Sequence, residues 1–230
     1  MKTIIVTGGA KGIGAAIVRD LARDHQVCVT WKTTPTHDLP AGVLALQADL
    51  TQEGAPEQVV QDTIEHFGTL DGIVNNAGLV RPTPPEATQA DAVAAQMAVN
   101  VAAPARLLSA ALPHLGRGAA VVNISSVNAV LPPKGAAMFG ASKAALEVWT
   151  RGMAKELGPR GIRVNAVSPG AIEDPENPRS DQMVAAFTEL TALGHLGAPD
   201  DIAAAVRFLM APEARFITGQ VLRVCGGYRL

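Results

Sequence analysis

The stretch Thr7-Gly8-Gly9-Ala10-Lys11-Gly12-Ile13-Gly14 follows an apolar run, residues 3–7, and leads into an alanine-rich segment with helical spacing, residues 15–23. Three of its glycines have a physical task in that setting. Gly8 permits a sharp turn off the strand, Gly12 lets backbone approach a pyrophosphate, and Gly14 lets the helix pack close to the sheet. The helix start then presents unpaired N–H groups and the positive end of its dipole to a phosphate. A glycine pattern alone says little, but a strand before it and a helix after it are the context that a nucleotide-binding turn requires.

Outward from this turn, strand-like and helix-like segments alternate. Strands are expected at 3–7, 26–31, 43–47, 72–75, 119–124, 163–168 and 220–224, and helices at 15–23, 56–67, 90–112, 141–157 and 200–210. β-Branched strands without polar alternation imply burial on both faces. The alternation implies right-handed crossovers and an α/β, Rossmann-type doubly wound parallel sheet, in one domain over residues 1–230. A polar, helix-breaking stretch, Glu173-Asp174-Pro175-Glu176-Asn177-Pro178, interrupts it late. Ligands of such a sheet sit beyond the carboxyl ends of its strands, so a loop at 173–193 is a candidate substrate lid.

Of the 230 residues, 48% are hydrophobic and 17% charged, which suffices to fill a core. The net charge is −2 and the lysines and arginines are scattered, so nucleic acid is not an expected partner. Cys28 and Cys225 lie in apolar stretches without metal or redox spacing, and both are expected as reduced buried thiols of a cytoplasmic protein. No run reaches the roughly 18 apolar residues of a membrane helix, and no signal peptide is expected ahead of the first strand.

The spacing G-x-x-x-G-x-G at Gly8, Gly12 and Gly14 resembles that of the short-chain dehydrogenase/reductase family. Asn75-Asn76-Ala77-Gly78 is similar to the family's N-N-A-G signature, and Ser168-Pro169-Gly170 to its P-G turn. The run from Thr218-Gly219 to Gly226-Gly227 resembles its T-G-x-x-x-x-V-D-G-G ending, with Cys225 where aspartate is usual. The resemblance covers the whole chain and implies a bound nicotinamide dinucleotide. It places Gly8, Gly12, Ile13 and Gly14 against the pyrophosphate, Asp49 and Leu50 at the adenine, and Asn76, Ala77 and Gly78 beside the adenosine ribose. Pro169, Gly170 and Ile172 would meet the nicotinamide carboxamide. Asp174 stands where a threonine often joins them.

The end of the second strand selects between cofactors. An acidic residue there would bind the ribose diol of NAD and repel a 2′-phosphate. This chain has Trp31, followed by Lys32-Thr33-Thr34, and Lys11 adds a positive charge in the glycine loop. Lys11 and Lys32, with Thr33 as a hydroxyl donor, are expected to hold the 2′-phosphate of NADP(H).

In this family a tyrosine is the general acid, a lysine four residues later lowers its pKa, a serine polarises the substrate carbonyl, and an asparagine holds a relay water. Residues i and i+4 share one helix face, and an ammonium near a phenol favours the phenolate. Lys143 fits the lysine, Ser126 the serine with Ser125 as neighbouring competitor, and Asn100 the asparagine. Phe139 stands at the tyrosine position, and a phenyl ring has no proton to give. Three readings stay open. Phe139 is a deliberate replacement that traps a complex; or it is a natural variant whose proton comes from water held by Lys143, from Ser126 or from the substrate; or the chain is a catalytically silent NADP(H)-binding regulatory or scaffold protein. Tyr228, the sole tyrosine, is expected to pack near the chain end, although the family's tetramers leave open a donor in trans.

The resemblance is strongest toward bacterial 3-oxoacyl-[acyl-carrier-protein] reductases and related alcohol dehydrogenases. It implies a small-molecule carbonyl or alcohol substrate, an acyl thioester among the forms. It also implies a homotetramer or homodimer, in which Ala145, Trp149 and Met153 share a helix face that pairs across subunits. Lys134 and Asn128 are expected to border the substrate cleft, and His66, His114 and His195 to be surface residues, with contact to substrate left open for His195.

Overall fold

A computed structural model describes residues 1–34, 38–174 and 176–229, so that Pro175 of the expected lid lies outside the described residues. The apolar runs become β1 (Thr3–Thr7), β2 (Gln26–Trp31), β3 (Leu44–Gln47), β4 (Gly72–Asn75), β5 (Ala120–Ile124), β6 (Arg163–Pro169) and β7 (Val221–Val224). They form one parallel sheet in the order β3-β2-β1-β4-β5-β6-β7. Ile5 lies in register with Cys28 on one side and Ile73 on the other, and Ile73 continues the row to Val121.

Alternate strand residues feed two separate cores. On one face, Ile4, Val6, Val29 and Val122 pack with Ile17 and Leu21 of α1 (Gly12–Leu21) and Ile202, Val206 and Leu209 of α7 (Pro199–Met210). Arg207 ties these helices, with Nε 2.7 Å from Asp20 and a second nitrogen 3.0 Å from Asp24. On the other face, Ile5, Cys28, Ile73, Val121 and Val164 meet Val59 and Val60 of α2 (Ala55–Phe67), Leu107 and Leu108 of α4 (Ala103–Ala111), and Ala154 and Leu157 of α5 (Ala137–Leu157). Burial pushes the Cys28 thiol up to about 11, with the Thr63 hydrogen bond opposing it, which leaves the group protonated.

Three helical expectations change. The helix expected over 90–112 is broken into α3 (Ala90–Met97), a π turn (Ala98–Ala102) and α4. The sequence supplies a reason, because Pro104 has no N–H to donate to the Asn100 carbonyl four residues back. The helix expected from 141 begins at Ala137 instead. Gly140 is a packing glycine rather than a break: a Cβ there would stand 2.6 Å from the Asn128 carbonyl oxygen and 3.0 Å from Pro132. The expected lid loop contains α6 (Asp181–Glu189), whose N-cap Ser180 accepts a hydrogen bond from the Met183 N–H at 3.4 Å.

The strand order reverses between β1 and β4. The loops leaving these two strands therefore diverge at their carboxyl ends and open a crevice there. No helix among the described residues is long and apolar enough to cross a membrane. Leu107 is fully buried in the second core. Leu107→Ala is expected to cost about 2–5 kcal/mol, read as a lower midpoint of urea denaturation with an unchanged slope; a loss under 1 kcal/mol contradicts this packing.

Candidate functional site

The crevice is lined by the glycine loop on one side. Gly8 and Gly12 adopt φ of +65° and +52°, the left-handed region that favours glycine. A Cβ on Gly8 would lie 2.8 Å from the Ala77 Cα. A Cβ on Gly14 would strike the Gly8 carbonyl oxygen and stand 2.5 Å from the Asn76 side-chain nitrogen. Gly12 has no such neighbour, so the space above it is open. Among the described residues, the N–H groups of Gly12, Ile13 and Gly14 find no protein acceptor, and Lys11 gives no side-chain cap. Three aligned donors at a helix start, with room above them, fit a pyrophosphate.

Asn76, expected beside the adenosine ribose, ties two loops together. Its Nδ2 donates to the Thr7 carbonyl at 3.0 Å and the Gly8 carbonyl at 2.9 Å, and Thr7 Oγ accepts from the Asn76 and Ala77 N–H groups at 3.0 Å each. At the adenosine end, Trp31 is half-buried and Lys11, Lys32 and Thr33 are exposed. Lys32 Nζ sits 2.7 Å from Asp49, joining two residues expected to act separately. Desolvation pushes the Asp49 carboxyl up, but Lys32 and the Thr51 hydroxyl and N–H outweigh it and hold it near 2. Leu50 is buried behind this pair. At the other end, the Gly170 N–H donates to the Val224 carbonyl at 3.0 Å, and Ile172 bridges to Gly197. Cys225 packs against Gly170, where an added Cβ would lie 2.8 Å from the Cys225 Cβ; its thiol is half-buried, not fully buried as expected. Asp174 accepts from the Glu176 N–H at 3.2 Å, a bond within its own loop.

Phe139 and Lys143 share one face of α5, and the Lys143 ammonium lies 5.9 Å from the Phe139 ring centroid. Lys143 Nζ donates to the Ile124 carbonyl at 2.8 Å, directly before Ser125 and Ser126. Only 5% of this residue is exposed, and desolvation lowers its pKa from 10.5 to about 8. Ser125 donates to Glu147 Oε1 at 2.8 Å, which commits it to the interior. Ser126 accepts from the Asn128 N–H at 3.2 Å and makes no side-chain donation among the described residues, so its hydroxyl hydrogen is uncommitted there. Asn100, in the π turn, exchanges hydrogen bonds with the Leu79 N–H and carbonyl at 2.8 and 2.9 Å and donates to Ser142 Oγ at 2.9 Å. Both of its amide hydrogens are engaged. Ser142 in turn donates to the Phe139 carbonyl at 2.7 Å.

The remaining candidates make no hydrogen bond to Phe139, Lys143, Ser126 or Asn100 among the described residues. Tyr228 is half-buried 6.1 Å from Phe187 of α6 and bridges Thr191, so it packs on the lid of its own chain. His195 is exposed, with its ring bonded to the Leu196 carbonyl at 2.8 Å, and Lys134 is exposed. Trp149 and Met153 pack in part against the second core, which leaves Val148, 66% exposed, as the apolar residue on the outer side of α5.

A family model described as enoyl-(acyl carrier protein) reductase matches residues 8–229. The solved structure of a short-chain dehydrogenase from Burkholderia cenocepacia, in complex with NADP, superposes with a TM-score of 0.94 at 38% identity and covers 100% of this chain and 98% of that one. An uncharacterized oxidoreductase of Methylorubrum extorquens is 36% identical over 243 residues, 99% of this chain and 98% of its own length. A cyclic-di-GMP-binding biofilm dispersal mediator protein of Escherichia coli is 34% identical over 231 residues, 99% of this chain and 97% of its own length.

The buried ammonium has a thermodynamic signature. Because the folded chain holds the Lys143 proton less tightly than the unfolded chain, the penalty is complete below pH 8 and lifts as pH rises toward 10.5. Relative to Lys143→Met, the unaltered chain is therefore expected to gain about 3 kcal/mol of stability across that window. Denaturant titrations of both at pH 7 and pH 10 check this, and a constant gap contradicts it.

Proposed function

The chain belongs to the short-chain dehydrogenase/reductase family of oxidoreductases, and from that premise we propose that it interconverts a carbonyl and an alcohol with NADP(H). A 3-oxoacyl thioester or a small ketone is the substrate class. The observation that carries this reading is the setting of Lys143: buried, bonded to Ile124 beside Ser126, and one helical turn from Phe139. A bound nicotinamide supplies hydride. Ser126 donates its free hydroxyl hydrogen to the carbonyl oxygen and so stabilises the charge that develops there. Gly12, Ile13 and Gly14 hold the pyrophosphate, and Gly78 leaves room beside the Lys143 ammonium, where its own Cβ would stand 3.5 Å away. A homodimer or homotetramer that covers Val148 belongs to the same proposal.

Selection of NADP(H) rests on charge. Lys11 makes no ion pair among the described residues, no acidic residue closes β2, and a 2′-phosphate would share Lys32 with Asp49. The Burkholderia relative, solved with NADP, supports this choice. NADPH is expected to bind at least tenfold more tightly than NADH, about 1.4 kcal/mol, with most of the difference lost in Lys32→Ala; fluorescence titrations giving equal constants would sink the assignment.

Phe139 favours a second reading, a catalytically silent NADP(H)-binding regulatory or scaffold protein. The Escherichia coli relative named for binding cyclic-di-GMP, rather than for a reaction, is in keeping with it. NADPH oxidation with an acetoacetyl thioester and a panel of ketones separates the two. Phe139→Tyr is expected to raise the rate by about 10²–10⁴-fold. A variant that binds NADPH without any rise favours the silent protein.

A further inference from the structure

Two serines stand side by side at the end of β5, and α5 treats them differently. Successive side chains of an extended strand point to opposite faces. Val122 and Ile124 accordingly belong to the core under α1 and α7, and Val121 to the core under α4 and α5. Asn123 and Ser125 continue the series of Val121, and α5 bonds to three consecutive residues there. Thr150 Oγ accepts from the Asn123 side chain, Lys143 Nζ donates to the Ile124 carbonyl, and Glu147 Oε1 accepts from the Ser125 hydroxyl, each at 2.8 Å. Ser126 is the first residue whose hydroxyl α5 does not bond among the described residues. Its backbone is extended, with φ −166° and ψ 149°, so its side chain leaves on the side opposite to that of Ser125.

Glu147 is a buried carboxylate, 7% exposed, and Ser125 is 4% exposed. Its second oxygen lies 3.8 Å from Arg151. With Val130, Arg151, Gln220 and Arg223 it lines a cavity of about 500 Å³, to which neither Phe139, Lys143 nor Ser126 contributes. The carboxylate therefore bears on the crevice through Ser125. Without it, the Ser125 hydroxyl loses its acceptor, and a buried polar group left alone is costly enough to turn toward another partner. The Ser125 N–H, bonded to the Val167 carbonyl at 2.7 Å, would then hold this residue by its backbone alone.

Resting on the carbonyl reading above, we propose that Glu147 is a positioning residue of this site. By holding the Ser125 hydroxyl toward α5, it leaves Ser126 as the single serine hydroxyl offered to the substrate carbonyl and fixes where that hydroxyl stands. A donor stabilises developing charge only from the place where the charge appears. A shift of about 1 Å can cost roughly 100-fold in rate, so a carboxylate that never touches substrate acts on the rate through the aim of Ser126.

The test uses the Phe139→Tyr chain as parent and one ketone or acetoacetyl thioester that it reduces. Glu147→Leu, Glu147→Gln, Ser125→Ala and the double variant Glu147→Leu/Ser125→Ala are made in it. For each, kcat and the NADPH dissociation constant are measured, with circular dichroism to establish folding. Glu147→Leu and Ser125→Ala are each expected to lower kcat at least about tenfold, with the NADPH constant within about twofold of the parent. The double variant is expected to be no slower than the slower single variant, because both remove one bond. Glu147→Gln keeps an acceptor oxygen and is expected to restore most of the rate. A purely structural role would lower stability and leave kcat of the folded protein unchanged. If Glu147→Leu does not fold, Ser125→Ala and Glu147→Gln carry the comparison. Three results overturn the proposal: a smaller fall in kcat in either folded single variant, losses that multiply in the double variant, or a Glu147→Gln chain as slow as Ser125→Ala. A parent that binds NADPH and reduces none of the carbonyl compounds defeats the carbonyl reading itself, and this proposal with it.

Discussion

The side-chain amide of Asn76 donates to the Thr7 and Gly8 carbonyls at 3.0 and 2.9 Å, across the point where the strand order reverses. Thr7 returns the contact by accepting two N–H groups from the facing loop. These bonds fasten the loop that leaves β1 to the loop that leaves β4. Only then do the glycines matter. Gly8 lies so close to Ala77, and Gly14 so close to Gly8 and Asn76, that a methyl group at either would push the loops apart. The start of α1 is thereby fixed, and with it the three N–H groups that face the crevice. Phosphate binding at a helix start needs donors held in place before the ligand arrives, and this clamp supplies that preorganisation.

The wall of the crevice that carries Phe139 and Lys143 is built on a second set of buried polar bonds. Asn100 joins the Leu79 loop to Ser142, Ser125 joins β5 to Glu147, and Asn75, Asn123 and Thr150 form a ladder from β4 through β5 to α5. Buried networks of this kind rigidify a site when satisfied, because a lost partner leaves a costly orphan. Asn75 Oδ1 is one such orphan among the described residues. None of these bonds depends on the side chain of Phe139, which enters the network through its carbonyl oxygen alone. The framework is therefore indifferent to whether the ring at position 139 carries a hydroxyl.

The fold was legible because its signals are local. β-Branched runs such as 4–6 and 73–74 need burial on both faces, and the glycine turn says where the first helix begins. The candidate site was legible where a motif names a position: Gly8, Gly14, Asn76, Lys143 and Phe139 all line one crevice system. What stayed hidden was long-range pairing. Nothing in the sequence couples Lys32 to Asp49, Ser125 to Glu147 or Thr7 to Asn76, since each bond is made only when separate elements of the fold come together. One difference had a readable signal: Pro104 marked the break at the π turn. The start of α5 at Ala137, four residues before the expected 141, brings Gly140 into close contact with Asn128 and Pro132, a pairing the sequence does not show.

The clamp is the element from which the cofactor cleft follows, and removing it is the most direct trial. The dissociation constant of NADPH should be measured by fluorescence titration for the unaltered chain and for Asn76→Ala, with circular dichroism to establish that both are folded. The account predicts tight binding by the unaltered chain and at least tenfold weaker binding by the variant, about 1.4 kcal/mol. Equal constants in two folded proteins, or no binding by the unaltered chain, would contradict it.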